Sequence, residues 1–112
     1  MRQTLKDAYC FEMDAAIRLY TLNEFDAAFY HLERAHILGQ RYITPHTQSH
    51  WWMLKVGLKQ HKFRDVFGQV MRIIASLLFS KIWVPMGNTG GSNVDPLKPM
   101  PIPEDLKKVL QQ

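Results

Sequence analysis

Five of the six prolines stand at position 85 or beyond, and the sixth, Pro45, follows Thr44 at what has the form of a helix start. Proline removes a backbone donor and clashes with the preceding turn, so it is excluded from helix interiors and confined to first turns. The first 84 residues are therefore open to long helices, and the remainder is closed to them. Apolar residues repeat there at helical spacing, and no segment alternates with the period of two that a half-buried strand requires. The chain is expected to be all-α.

Four helices are expected before Pro85: Leu5 to Tyr20 with Thr4 as N-cap, Glu24 to Leu38 with Asn23 as N-cap and Gly39 as stop, Thr44-Pro45 to Gln60, and Phe63 to Ile82. Residues 1–82 form the core domain in this account. Residues 83–112 form a Gly/Pro-rich tail, with turn-forming Gly87-Asn-Thr-Gly-Gly91 and a short terminal helix opening at Pro103-Glu104. Ile102, Leu106, Val109 and Leu110 give that tail apolar surface with which to dock, so an ordered wrap around the helices is expected. At 112 residues a second independent core is excluded.

A repeat runs through the helical part. Phe25, Ala28, Leu32 and Ala35 are matched by Phe63, Val66, Val70 and Ile73 at a constant offset of 38. The spacing Ala28-x3-Leu32-x2-Ala35 resembles the second helix of a tetratricopeptide repeat, where small residues let paired helices approach closely. The resemblance implies a four-helix, two-hairpin, tetratricopeptide-like domain, right- or up-down-packed. The repeat's Trp, Leu-Gly, Tyr and closing Pro positions here hold Glu12, Ala15-Ala16, Leu19 and Gln40. Two units are too few for a groove-forming solenoid, so a closed pair of hairpins is expected. The whole chain, through His31-Leu-Glu-Arg-Ala-His36-Ile-Leu-Gly-Gln40, Pro45-His-Thr-Gln-Ser-His50-Trp-Trp and Gly87-Asn-Thr-Gly-Gly91, also resembles a bacterial family of small helical proteins of unknown function. That resemblance implies no activity.

Polar residues intrude on three of the four apolar helix faces. Glu12 falls at the centre of the first, among Ala8, Tyr9, Met13, Ala16 and Leu19. His36 falls within the second, and His46 and His50 lie on the third. The fourth helix shows no intruder, with Asp65, Gln69, Arg72 and Ser76 keeping to the polar side. A buried unpaired carboxylate costs several kcal/mol or becomes neutral, so Glu12 requires a partner. Folding the hairpins antiparallel brings Glu12, His36, His46 and His50 within about one helical turn of a common height. Three imidazoles and a carboxylate suit a divalent transition metal, whether zinc, iron, manganese, nickel or copper, with open positions for water or substrate. His31 stands in reserve as a ligand. Two alternatives remain at this level: the same residues as a metal-free hydrogen-bond network inside a helical-repeat interaction module, or an enzyme working at the ion, for which no separate acid, base or nucleophile can be named.

Composition narrows the rest. A hydrophobic fraction of 46% excludes a disordered tail, and the single Cys10 excludes a disulfide framework and fits a reducing compartment. The N-terminus lacks a signal's apolar core and no run approaches a membrane span, so a cytoplasmic location is expected. The surplus of 14 Lys and Arg over 10 Asp and Glu is spread as a solvated face, without a recognition helix for nucleic acid. The partner expected is a protein or a second copy through Trp52 or Phe79, with neither nucleic acid nor membrane. Gly87-Asn-Thr-Gly-Gly91 lacks the Lys and the following helix of a phosphate-binding loop.

Overall fold

The computed structural model describes residues 1–79, 88–91 and 99–111. Five helices make up the described regular structure: α1 (Gln3–Thr21), α2 (Phe25–Gly39), α3 (Ile43–Lys59), α4 (Phe63–Phe79) and α5 (Glu104–Gln111). The expected end of the fourth helix at Ile82, and the tail between 92 and 98, lie outside the described residues. Helix α2 is central, packing on α1 along one side, on α3 along another, and on α5, while α4 packs on α3. Ala28 and Ala35 are fully buried on α2, where their small side chains allow its neighbours to close in. Leu5, Tyr9, Met13, Leu32, Leu38, Met53, Val56 and Leu106 fill the space between.

The caps differ from the expectation in an instructive way. Thr4 lies inside α1, which begins one residue earlier with no side-chain cap. Asn23 does not start α2 but ends α1: it adopts φ of 61°, and the Glu24 amide donates to the Leu19 carbonyl at 2.9 Å. This is a Schellman closure with asparagine in the left-handed position. His61 repeats it 38 residues later, with φ of 57° and the Lys62 amide on the Gly57 carbonyl at 2.9 Å. The sequence offset is thus also a backbone offset, and both hairpins turn the same way. Pro45 sits in the third position of α3, not the first; it is tolerated because the first intrahelical bond is made one residue later, by the His46 amide to the Tyr42 carbonyl. Gly39 is needed for space and not for φ, since a Cβ there would stand 2.7 Å from Pro45 Cβ and 3.1 Å from the Tyr9 ring. That contact seats the start of α3 against α1.

Helix α4 is turned the opposite way from its amphipathic pattern. Gln69, expected on the solvent side, is 1% exposed, and Asp65 and Arg72 are half-buried beside it. The apolar stripe of Phe63, Phe67, Val70, Met71, Ile74, Leu77 and Leu78 faces outward, with Phe67 at 67% exposure. The inward arc of α4 supplies a hydrogen-bond partner to a buried imidazole on α3, and a helix can present that arc to only one side.

Candidate metal centre

His36 comes from the last turn of α2, His46 from the first turn of α3, and His50 from one turn further along α3. The antiparallel crossing of α2 and α3 aims all three rings at one point. His36 Nε2 lies 2.9 Å from His46 Nε2, and His50 Nε2 lies 3.2 Å from the same atom. The ring centroids are 4.6 to 4.9 Å apart pairwise. An ion held at about 2.0–2.1 Å by imidazole nitrogens sets neighbouring donors about 2.9 Å apart at right angles and about 3.4 Å apart at the tetrahedral angle. These two spacings fall within that interval and the ligand atoms of all three rings lie within 4.8 Å of one another, so His36, His46 and His50 form a group that could hold a metal ion.

The outer ring atoms settle which nitrogens carry protons. His36 Nδ1 donates to the Asn88 carbonyl at 2.7 Å, and a carbonyl can only accept. Gln69 donates its Nε2 to the Gly90 carbonyl at 3.0 Å, which leaves its Oε1 to accept from His50 Nδ1 at 2.7 Å. Both rings are therefore protonated at Nδ1, and both turn an Nε2 lone pair towards His46. His46 Nε2 can donate to one of them and not to both. If its proton sits on Nδ1 instead, three lone pairs converge, and that buried Nδ1 has no hydrogen-bond partner. The neutral set cannot satisfy itself.

Nor does a proton complete it. Burial pushes His46 down to about 4 and His50 down to about 3; for His50 the neighbouring His46 adds to the effect, and the Gln69 bond opposes it. His36 is held well below the ordinary value, first by burial and then by His50 and His46. At neutral pH the three rings are uncharged, which is the form that ligates a metal. His46 is half-buried where the other two are enclosed, so solvent approaches the trio from its side.

The segment 88–91 closes the opposite side. The Gly90 amide donates to Asn88 Oδ1 at 2.9 Å, and Gly90 takes φ of 80°. A Cβ at Gly90 would stand 2.5 Å from His36 Cδ2, so only glycine allows the backbone to lie on that imidazole. The loop set aside as a phosphate cradle is thus the clamp on His36. Its signal in the sequence was the run of residues permitting left-handed backbone; what it would clamp was not visible there. Gln69 was missed because the amphipathic pattern placed it in solvent.

Glu12 is not with the histidines. It is 4% exposed, as its position on the apolar face of α1 demanded, but His31 Nδ1 holds one oxygen at 2.8 Å and Arg34 Nε the other at 2.8 Å. Arg34 continues to Asp105 on α5, which the guanidinium holds below the usual carboxylate range. The expected set of Glu12 and three histidines divides into two: an imidazole trio between α2, α3 and α4, and a carboxylate network joining α1, α2 and α5. Helical rise alone put the four at one height; which side of α2 each face met was decided by packing. His31, the reserve ligand, belongs to the second set. The Tyr9 hydroxyl, on the same face of α1, donates to Gln48 Oε1 at 2.7 Å. Trp52 packs edge-on against Tyr20 at 5.4 Å, leaving Trp51 exposed.

A cavity of about 290 Å³ opens between α2, α3 and α4 and reaches Gln69. Glu33 lines it, and burial raises its carboxyl above the usual range. No described helix is long and apolar enough to cross a membrane. The chain belongs to a protein family of unknown function, DUF3703, whose model matches residues 3–110. No curated protein and no solved structure matches it.

Proposed function

We infer that this member of a family of unknown function binds one divalent transition-metal ion through Nε2 of His36, His46 and His50. The observation that carries the inference is the convergence of three Nε2 atoms at 2.9 and 3.2 Å when two of them are lone pairs by the bonding of their own Nδ1 atoms. His46 Nε2 can donate to only one of the two, so the neutral trio leaves a buried lone pair unsatisfied, and a cation between the rings would take all three. The supports at Asn88 and Gln69 are the kind that orient metal-bound imidazoles and raise their basicity. An all-nitrogen set without a carboxylate favours zinc, copper, nickel or iron(II) over manganese. Three protein ligands leave open positions for water or a small anion, and the Arg72 charge, which acts on both His36 and His50, favours the anion. In this account residues 83–112 are a closure of the tetratricopeptide-like core of 1–82, wrapping it so that Asn88–Gly91 seals the ion. The free, exposed Cys10 supports a reducing, cytoplasmic setting.

The test is metal binding by untagged protein. Cobalt(II) should bind at one ion per chain with ligand-field absorption, be displaced by zinc, and be lost in His50→Ala. A second reading, a metal-free network in an interaction module, draws on the complete partnering of His36 and His50 at Nδ1. It predicts no stoichiometric cobalt and no change in thermal stability on adding zinc.

A further inference from the structure

The stripe on α4 is the largest feature left without a role. Phe63, Phe67, Val70, Met71, Ile74, Leu77 and Leu78 are 39% to 67% exposed. The helix cannot rotate to bury them, because Gln69 on the opposite face is bound at once to His50 and to Gly90. Together these side chains expose roughly 800 Å², about what one partner contributes to a stable protein interface. The stripe itself contains no charged residue.

Six of the seven positions in the stripe are also symmetric, and the seventh, Leu77, mirrors the exposed Arg64. Val70 and Met71 stand at its middle. Phe67 lies three residues before Val70, and Ile74 lies three after Met71. Phe63 lies seven before Val70, and Leu78 lies seven after Met71. This helical spacing suits a two-fold pairing of antiparallel helices, in which each residue meets the one at the mirrored position of the other copy and the Arg64 side chain lies along Leu77 at the edge.

We propose that α4 pairs antiparallel with α4 of a second copy of this chain, about a two-fold axis between Val70 and Met71. Phe63 then packs on Leu78 of the other copy, Phe67 on Ile74, and Val70 on Met71. The pairing is independent of whether the histidine trio holds an ion. A membrane surface is the weaker occupant: interfacial helices turn a polar face rich in Lys and Arg to water, whereas here the polar face is occupied inside the protein's own fold.

The test is sedimentation equilibrium of the full chain over a range of micromolar concentrations, with Phe67→Glu and Ile74→Lys as variants. Both sites are solvent-exposed in one copy, so both variants should keep wild-type helical circular dichroism. Wild type should have the mass of two copies. Each variant alone should dissociate about a hundredfold more readily, because it sets a charge against an apolar side chain. Mixed together they should re-form a two-copy species, since Glu at 67 then faces Lys at 74. A wild type that stays a single copy, a dimer indifferent to both variants, variants that do not recombine, or a single-copy wild type that sediments with phosphatidylserine-containing vesicles would each overturn the pairing.

Discussion

Gln69 and His50 are joined by a 2.7 Å hydrogen bond between Oε1 and Nδ1 that ties the inward arc of α4 to α3. Gln69 on that arc is 1% exposed, while Phe67 lies outside. The bond also fixes the His50 proton on Nδ1 and so aims the Nε2 lone pair at His46. One amide therefore both ties α4 to α3 and sets the tautomer of a buried imidazole.

Replacing that amide separates the two effects. Gln69→Leu leaves His50 Nδ1 and the Gly90 carbonyl unpaired, which should cost about 1–3 kcal/mol of stability. Zinc affinity should fall about 10- to 100-fold, as it does when the partner of a metal-bound imidazole is removed. Chemical denaturation and a competition titration measure the two quantities. Undiminished zinc affinity in the folded variant would mean that Gln69 does not orient a ligand.

Glu12 provides the contrasting case. Its carboxylate ties His31 and Arg34 and, through Arg34, reaches α5. Glu12→Gln should lower stability by about 1.5–3 kcal/mol by weakening charge-assisted bonds. Cobalt or zinc affinity measured below the unfolding transition should stay within about threefold of wild type, since a ligand loss would cost far more. A large drop in affinity would place Glu12 in the centre after all.

Acid should act on the metal-free protein through the trio. His50 is held at about 3 and His46 at about 4, with His36 also depressed, whereas in the unfolded chain all three titrate near the ordinary value of 6.5. The unfolded chain therefore takes up protons first as pH falls. Stability is complete above about 6.5 and is lost progressively below it, towards 3. Between pH 7 and 5 the loss should be on the order of 2 kcal/mol for each enclosed histidine, enough to threaten a domain of ordinary stability. Urea midpoints of chelator-treated protein at the two pH values report it, and His50→Leu should flatten the dependence. A midpoint that does not move between pH 7 and 5 would contradict the burial of neutral rings.

Much of this protein was settled by its sequence alone. Proline placement and helical periodicity dictated helices over the first 79 residues, and the offset of 38 carried through to the paired closures at Asn23 and His61. Of the four polar residues marked on apolar faces, Glu12, His36 and His50 are buried and His46 is half-buried, because burial of a face follows from spacing. Three of them, His36, His46 and His50, do meet. Tertiary structure alone decided their company. A helix face can be assigned from periodicity, but not the neighbour it meets, so Glu12 went to His31 and Arg34 on one side of α2 while the imidazoles gathered on the other. For α4 even the assignment of inside and outside was overturned. The hydrophobic pattern states only that one face is apolar, and it carries no sign that Gln69 on the opposite face binds His50 and Gly90 inside the fold while the apolar face is exposed.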